Sequence, residues 1–273
     1  KFHIMKKESL KPKNIAKSKP IILVIGGHDP SGAGIHADIE TISALGGQAV
    51  SIVTALTRQN TKRVDQVSPI SPEDVIKSLD VILEEFTPSA IKIGLIPTKT
   101  MGNKLCEYLK RNIKTAPIVV DPIIKAGSGN HLATDDESWI KKLCSISTIF
   151  TPNLNELQLI CKNTDLRSMS FQILKSGAKA ILITDTGDSK IFLSNIFISA
   201  NKSAAYKMVR YSGVFHGTGC TLSSAIAFYL AKKNSLMKAS LLGQIFAHES
   251  VRFGTDQRTF QRHPNRFFKN EIS

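Results

Sequence analysis

Cysteine is scarce in this 273-residue chain. The four present, Cys106, Cys144, Cys161 and Cys220, form no C-x-x-C pair. That excludes the usual spacings of a zinc finger or a dithiol redox centre. Sparse, irregular cysteines suit a reducing compartment, so a cytoplasmic location is expected. Long apolar runs are also missing. No stretch approaches the roughly 20 residues that span a bilayer, so no membrane partner is expected. Acidic residues are few, with 22 Asp and Glu against 36 Lys and Arg, for a net charge of +14. Such charge could draw nucleic acid or small anions. No basic patch is interleaved with aromatics, so no specific nucleic-acid partner is expected.

Part of the charge is concentrated at the start. Lys1 to Lys19 holds seven lysines and one glutamate, without an apolar segment. It reads as a solvated, mobile tail and not as a secretory signal. No repeat or linker divides the remainder, so residues 20–273 are expected to form one domain.

Apolar and amphipathic runs alternate through that region. Ile21–Ile25, Ala49–Thr54, Ala90–Ile93, Pro117–Val120, Thr148–Phe150 and Ala180–Ile183 read as strands, and Lys190–Val209 as a strand pair. Helical spacing marks Ile35–Leu45, Pro72–Glu85, Lys99–Arg111, Asp135–Leu143, Asn155–Cys161, Ser168–Ser176, Thr218–Lys232 and Leu236–Phe253. In the first helix Ile35, Ile39, Ile42 and Leu45 share a face. Cys106, Cys144 and Cys161 fall in apolar helical patterns and are expected to be packing residues. Strands alternating with helices predict an α/β fold, a mainly parallel sheet covered on both faces. Ligands of such sheets bind beyond the carboxyl ends of the strands.

The chemistry is concentrated at those ends. His216-Gly217-Thr218-Gly219-Cys220-Thr221 opens a helix. The first N–H groups of a helix lack internal partners, and its dipole is positive there. Glycines let a ligand come close, so the segment suits a phosphate. The same field favours a Cys220 thiolate. The plainer alternative is a helix start with a core cysteine. Gly26 to Gly34 is glycine-rich but fits neither the G-x-G-x-x-G nor the G-K-[ST] pattern, so it reads as a backbone-lined pocket wall. Asp38 lies one turn beyond it, either on a solvated face or facing the pocket. Gln59, within Arg58-Gln59-Asn60-Thr61, offers one acceptor and two donors, which suits an aminated heterocycle. Asn153 and Glu156 have the spacing of a capping box. They could instead hold Mg²⁺ through waters, as could Asp121 at its strand end.

In order along the chain these segments read G-G-H-D-P-S-G-A-G-I-x-A-D, A-L-T-R-Q-N-T, K-I-G, D-P, T-P-N-L-x-E and H-G-T-G-C-T-L-S-S-A. Together they resemble the hydroxymethylpyrimidine (phosphate) kinases of thiamine biosynthesis, a ribokinase-like family. The resemblance runs from about Ile21 to about Phe268. It implies a central sheet flanked by helices and a homodimer. It also implies transfer of the ATP γ-phosphate, with Mg²⁺, to 4-amino-5-hydroxymethyl-2-methylpyrimidine and to its monophosphate. By the same resemblance, Gly27, Asp38 and Gln59 contact the pyrimidine. Gly217, Thr218 and Gly219 form the anion hole, and Cys220 is the base. Asn153, Glu156, Thr184 and Gly219 serve the nucleotide, with Asp121 and Glu156 on Mg²⁺. A pyridoxal-type kinase of the same fold, or a pyrimidine-binding protein of weak activity, are the alternatives.

The chain departs from the family pattern in three places. The glycine loop is one glycine shorter. Thr184-Asp185-Thr186-Gly187 stands where a lysine and paired glycines are common, and Gly127 stands where a lysine precedes Ser128-Gly129. Lys125 is a candidate substitute. A slower second phosphorylation is the expected consequence. After the last long helix, Phe260, Phe267 and Phe268 are expected to give some apolar anchoring.

Overall fold

The computed structural model describes residues 18–124, 138–187 and 189–272. The basic start of the chain, Lys125, the Gly127-Ser128-Gly129 segment and the beginning of the helix expected from Asp135 lie outside the described residues.

The first half runs β1 (Ile21–His28), α1 (Gly34–Ala44), β2 (Gln48–Gln59), β3 (Val64–Pro69), α2 (Pro72–Glu85), β4 (Ala90–Ile93), α3 (Lys99–Asn112) and β5 (Ile118–Val120). The second half runs α4 (Ser138–Cys144), β6 (Ile149–Phe150), α5 (Leu154–Cys161), α6 (Leu166–Lys175), β7 (Ala180–Ile183), β8 (Phe192–Ser199), β9 (Ser203–Val209), α7 (Thr218–Ala231), α8 (Leu236–Arg252) and α9 (Lys269–Ile272). The strands form one sheet in the order β3-β2-β1-β4-β5-β6-β7-β8-β9. From β2 to β7 neighbouring strands are parallel, while β3, β8 and β9 pair antiparallel at the two margins. This is an α/β architecture, a mainly parallel sheet with helices on both faces.

Side chains alternate across a strand, so a sheet covered on both faces needs apolar residues at every position. In β1, Leu23 and Ile25 join the core under α2 to α6, while Ile22 and Val24 join the core under α1, α7 and α8. Cys106, Cys144 and Cys161 belong to the first of these cores. Among the described residues no helix is long and apolar enough to cross a membrane.

Three local expectations need correction. The second strand continues past Thr54 to Gln59 and turns back through β3, for which the sequence pattern gives no strand. β3 is a margin strand with no fully buried residue, so it carries no apolar run to notice. Ile39 is exposed, because the inward arc of α1 is set by Ala37, Asp38 and Thr41 beside Ile35 and Ile42. Of the three C-terminal phenylalanines only Phe268 is buried, against Phe246 and Phe253, while Phe260 and Phe267 are exposed.

Candidate active site

The parallel strands deliver their carboxyl ends to one edge, where a cavity of about 240 Å³ opens. Gly27, His28 and Asp29 reach it from β1, Thr57 and Gln59 from β2, and Leu95 from the end of β4. Asp121, Thr151, Asn153, Glu156 and Thr184 follow from β5 to β7, and Gly217 to Cys220 close it from α7.

Helix capping differs among the helices around the site. Ser71, Thr98, Asn153, Asp165 and Ser235 cap their helices with a side-chain acceptor. Of the helices that open onto the cavity, α5 is capped by Asn153, while α1 and α7 begin at Ala33 and Gly217 with no side-chain cap. The first-turn N–H groups of α7 are therefore left for a ligand. Two glycines make this possible. Gly217 has φ +79°, and a Cβ there would lie 2.8 Å from the Arg266 guanidinium. Gly34 has φ +55°, and a Cβ there would lie 2.3 Å from the Gly27 carbonyl oxygen. No other residue fits at Gly34.

Cys220 sits in that first turn, 6% exposed. Its thiol is not lowered as the helix position predicts. Burial pushes it up to about 12; the charge of Lys92 works against this, while those of Asp38 and Asp121 add to it. Desolvation outweighs the helix dipole. Burial thus favours the neutral thiol over the thiolate.

Asp38 also departs from expectation. It is absent from the cavity wall and is fully buried beneath it. Its Oδ2 accepts from Lys92 Nζ at 2.9 Å and its Oδ1 from Ser224 Oγ at 2.7 Å. Lys92 is itself fully buried, so both oxygens are engaged within the core and the carboxylate does not face a ligand. Lys92 was legible in principle: a lysine within an apolar parallel strand must find a partner.

The remaining acids meet at the cavity. Asp121 accepts from Ser223 Oγ at 3.0 Å. Burial raises its pKa against the pull of Lys92. Asn153 and Glu156 form the full capping box, with reciprocal 2.9 Å bonds, and both line the cavity. Burial, then the charge of Asp121, push Glu156 up to about 8. Among the described residues no third His, Cys, Asp or Glu joins them in a closed metal cage. No lysine or arginine is among the described residues lining the cavity. Thr184 takes the position after β7, fixed by Thr184 N–H donating to the Pro152 carbonyl at 2.9 Å.

Gln59 is the exception to a well-satisfied wall. Its Oε1 is buried and has no hydrogen-bond partner. Across the cavity, sequence reasoning passed over a linked pair. His216 Nε2 lies 2.7 Å from Asp29 Oδ2, and Asp29 Oδ1 accepts from the Ser31 hydroxyl at 2.6 Å. Burial would raise Asp29, but the bonds from His216 and Ser31 prevail and hold it below the ordinary carboxylate range.

A cavity at the strand ends, closed by an uncapped helix start, is where an α/β protein of this kind binds a small anionic ligand. The chain superposes on the pyridoxal kinase of Staphylococcus aureus solved with pyridoxal, with a TM-score of 0.82 over 94% of this chain and 96% of that one. The identity there is 24%, a likeness of fold alone. The phosphomethylpyrimidine kinase of Clostridium difficile 630 superposes with a TM-score of 0.74 at 32% identity, over 85% of this chain and all of that one. The hydroxymethylpyrimidine/phosphomethylpyrimidine kinase of Rhizobium meliloti is 32% identical over 85% of this chain and 90% of its own length. The family model described as phosphomethylpyrimidine kinase matches residues 29–264. The chain belongs to the phosphomethylpyrimidine kinase family.

Proposed function

We propose that this chain transfers the γ-phosphoryl group of ATP to the hydroxymethyl group of 4-amino-5-hydroxymethyl-2-methylpyrimidine, and then to the resulting monophosphate, in thiamine biosynthesis. The observation that carries the acceptor is Gln59. A buried oxygen without a donor costs about 1–3 kcal/mol until one arrives, and the 4-amino group of the pyrimidine is such a donor. Gly27 lies on the same wall and brings bare backbone, since a Cβ there would lie 2.7 Å from Leu95 Cδ2.

The uncapped turn Gly217-Thr218-Gly219 offers N–H groups to the transferring phosphoryl oxygens. Asn153, Glu156, Thr184 and Gly219 form the nucleotide side of the cavity. Asp121 and Glu156 fit Mg²⁺, because both line the cavity and the Asp121 charge raises the proton affinity of Glu156, which a cation there would offset. Mg²⁺, when bound, would neutralise charge on the β- and γ-phosphates. Cys220, nearest the start of α7, is placed to take the acceptor's proton. Burial keeps it a thiol, so a base role would need positive charge brought to the start of α7.

The test is ATP consumption with Mg²⁺ and the aminopyrimidine, beside pyridoxal as the competing acceptor. Gln59→Leu should raise KM for the aminopyrimidine about tenfold or more, equivalent to roughly 1.4 kcal/mol, and leave pyridoxal turnover unchanged. Equal loss on both acceptors, or on neither, would defeat the assignment of Gln59. With no lysine or arginine among the described lining residues, the monophosphate should turn over more slowly than the alcohol. Equal rates in the two steps would refute that. A homodimer belongs to the same reading, and sedimentation equilibrium should return twice the mass of the chain.

A further inference from the structure

The segment that follows α8 brings two buried polar side chains, Gln261 and Arg266, against the site. Its backbone pairs with the residues that lead into α7. Arg262 N–H donates to the Val214 carbonyl, and His216 N–H donates to the Arg262 carbonyl, both at 2.8 Å. Phe268 anchors its end, stacked on Phe253 with ring centroids 5.9 Å apart.

Arg266, 4% exposed, uses three faces of its guanidinium. Nη1 donates to Glu40 Oε2 at 2.7 Å, Nε to Thr221 Oγ1 at 2.9 Å, and Nη2 to the Gly32 carbonyl at 3.1 Å. Thr221 Oγ1 passes the link on to the Gly217 carbonyl at 2.9 Å. One side chain thus ties the glycine loop, α1 and the first turn of α7 together. The contact is close, since a Cβ on Gly217 would lie 3.1 Å from Ala33 Cα. Two residues beyond Gly32, Gly34 lines the same cavity as Gly217, Thr218, Gly219 and Cys220. Gln261 holds the other side, with Oε1 at 2.9 Å from His216 Nδ1, and His216 reaches Asp29 at the head of the loop.

We propose that Arg266 is a positioning residue for phosphoryl transfer, fixing the Gly32–Gly34 backbone against the start of α7 so that the loop N–H and the helix N–H groups converge on one point. This rests on the kinase reading above. A planar fork holds three acceptors at set angles, and a lysine cannot. The shortened loop takes its shape from this grip: Gly32, with φ +99°, presents its carbonyl to the guanidinium. Displacing a reacting group by about 1 Å costs about a hundredfold in rate.

The experiment compares wild type, Arg266→Ala and Arg266→Lys. In the alanine variant kcat should fall about a hundredfold while KM for the aminopyrimidine stays within about threefold. Lysine should not restore it. Added guanidinium ion should recover kcat in Arg266→Ala, where the same concentration of sodium does not. A second readout needs no substrate: iodoacetamide should label Cys220 about ten times faster in unliganded Arg266→Ala, because the loop covering it is released. Wild-type kcat in folded Arg266→Ala, an unchanged labelling rate, or a loss that follows only the unfolded fraction and resists guanidinium would each overturn the proposal. Wild-type protein without turnover would instead defeat the kinase reading, and the labelling rates alone would then decide the role of Arg266.

Discussion

Replacing Lys92 by methionine should lower the stability of the protein by about 3–5 kcal/mol. Lys92 and Asp38 are both fully buried, with Nζ and Oδ2 2.9 Å apart. Methionine fills nearly the same volume, so the loss is not one of packing. It is the cost of a carboxylate left in the core with only Ser224 to meet it. Such a group takes up a proton instead of remaining charged. Burial already raises Asp38, against the charge of Lys92, and without that charge the rise is larger. A carboxyl whose folded pKa is raised loses its contribution as pH climbs through that value. The deficit of the variant should therefore be greater at pH 8 than at pH 5. Adding Asp38→Asn removes the buried charge and keeps an acceptor for Ser224, so the double variant should regain most of the loss. Urea unfolding at the two pH values checks this. A deficit under about 1 kcal/mol, or a double variant worse than the single, would show that the pair is not held as a charged couple.

The second large effect is of opposite sign. Glu156→Gln should stabilise the unliganded protein at alkaline pH by a few kcal/mol. Burial and then the Asp121 charge raise Glu156 to about 8, from an ordinary value of 4.5. Every tenfold gain in a carboxylate's proton affinity on folding corresponds to about 1.4 kcal/mol. The stability that the neutral carboxyl contributes is complete below the ordinary value and is lost as pH rises through about 8. Glutamine never ionises, and its side-chain oxygen still accepts from Asn153 N–H, so the capping box survives. Thermal melts of both proteins should coincide near pH 4, diverge progressively between about pH 4.5 and about 8, and stay apart above that, with the variant higher. Mg²⁺ should then raise the melting temperature of the wild type and not of the variant, and the variant should lose kinase turnover. Melts that stay parallel across that range would mean that Glu156 ionises without penalty.

The sequence carried most of the sheet because the parallel strands other than β2 are short apolar runs followed closely by glycine, proline or aspartate. That pattern has few alternatives once helices intervene. The cavity residues at strand ends followed from the same rule, and Gln59, Asp121, Asn153, Glu156 and the α7 glycines are all there. What could not be read was which polar residues spend themselves on one another. Asp38 lies one turn from the glycine loop, which is correct, yet a lysine on another strand claims it. That pairing crosses 54 positions and leaves no local trace. Cys220 failed for a related reason. The helix field can be inferred from position, but the desolvation that overrides it depends on how closely the loop, β5 and α7 pack. Arg266 is 234 positions from the carbonyl it grips. Nothing in its own neighbourhood distinguishes it from the other arginines nearby.

That separation bears on how the protein comes into being. A growing chain that has emerged only as far as α8 already contains every residue of the glycine loop, the acids and the helix start. It lacks the arginine and glutamine that set the loop against the helix. Domains fold in the order in which they are synthesised, but contacts of this span close last. The scaffold can therefore assemble before the site is competent, and competence should appear only once residues 261–268 have docked.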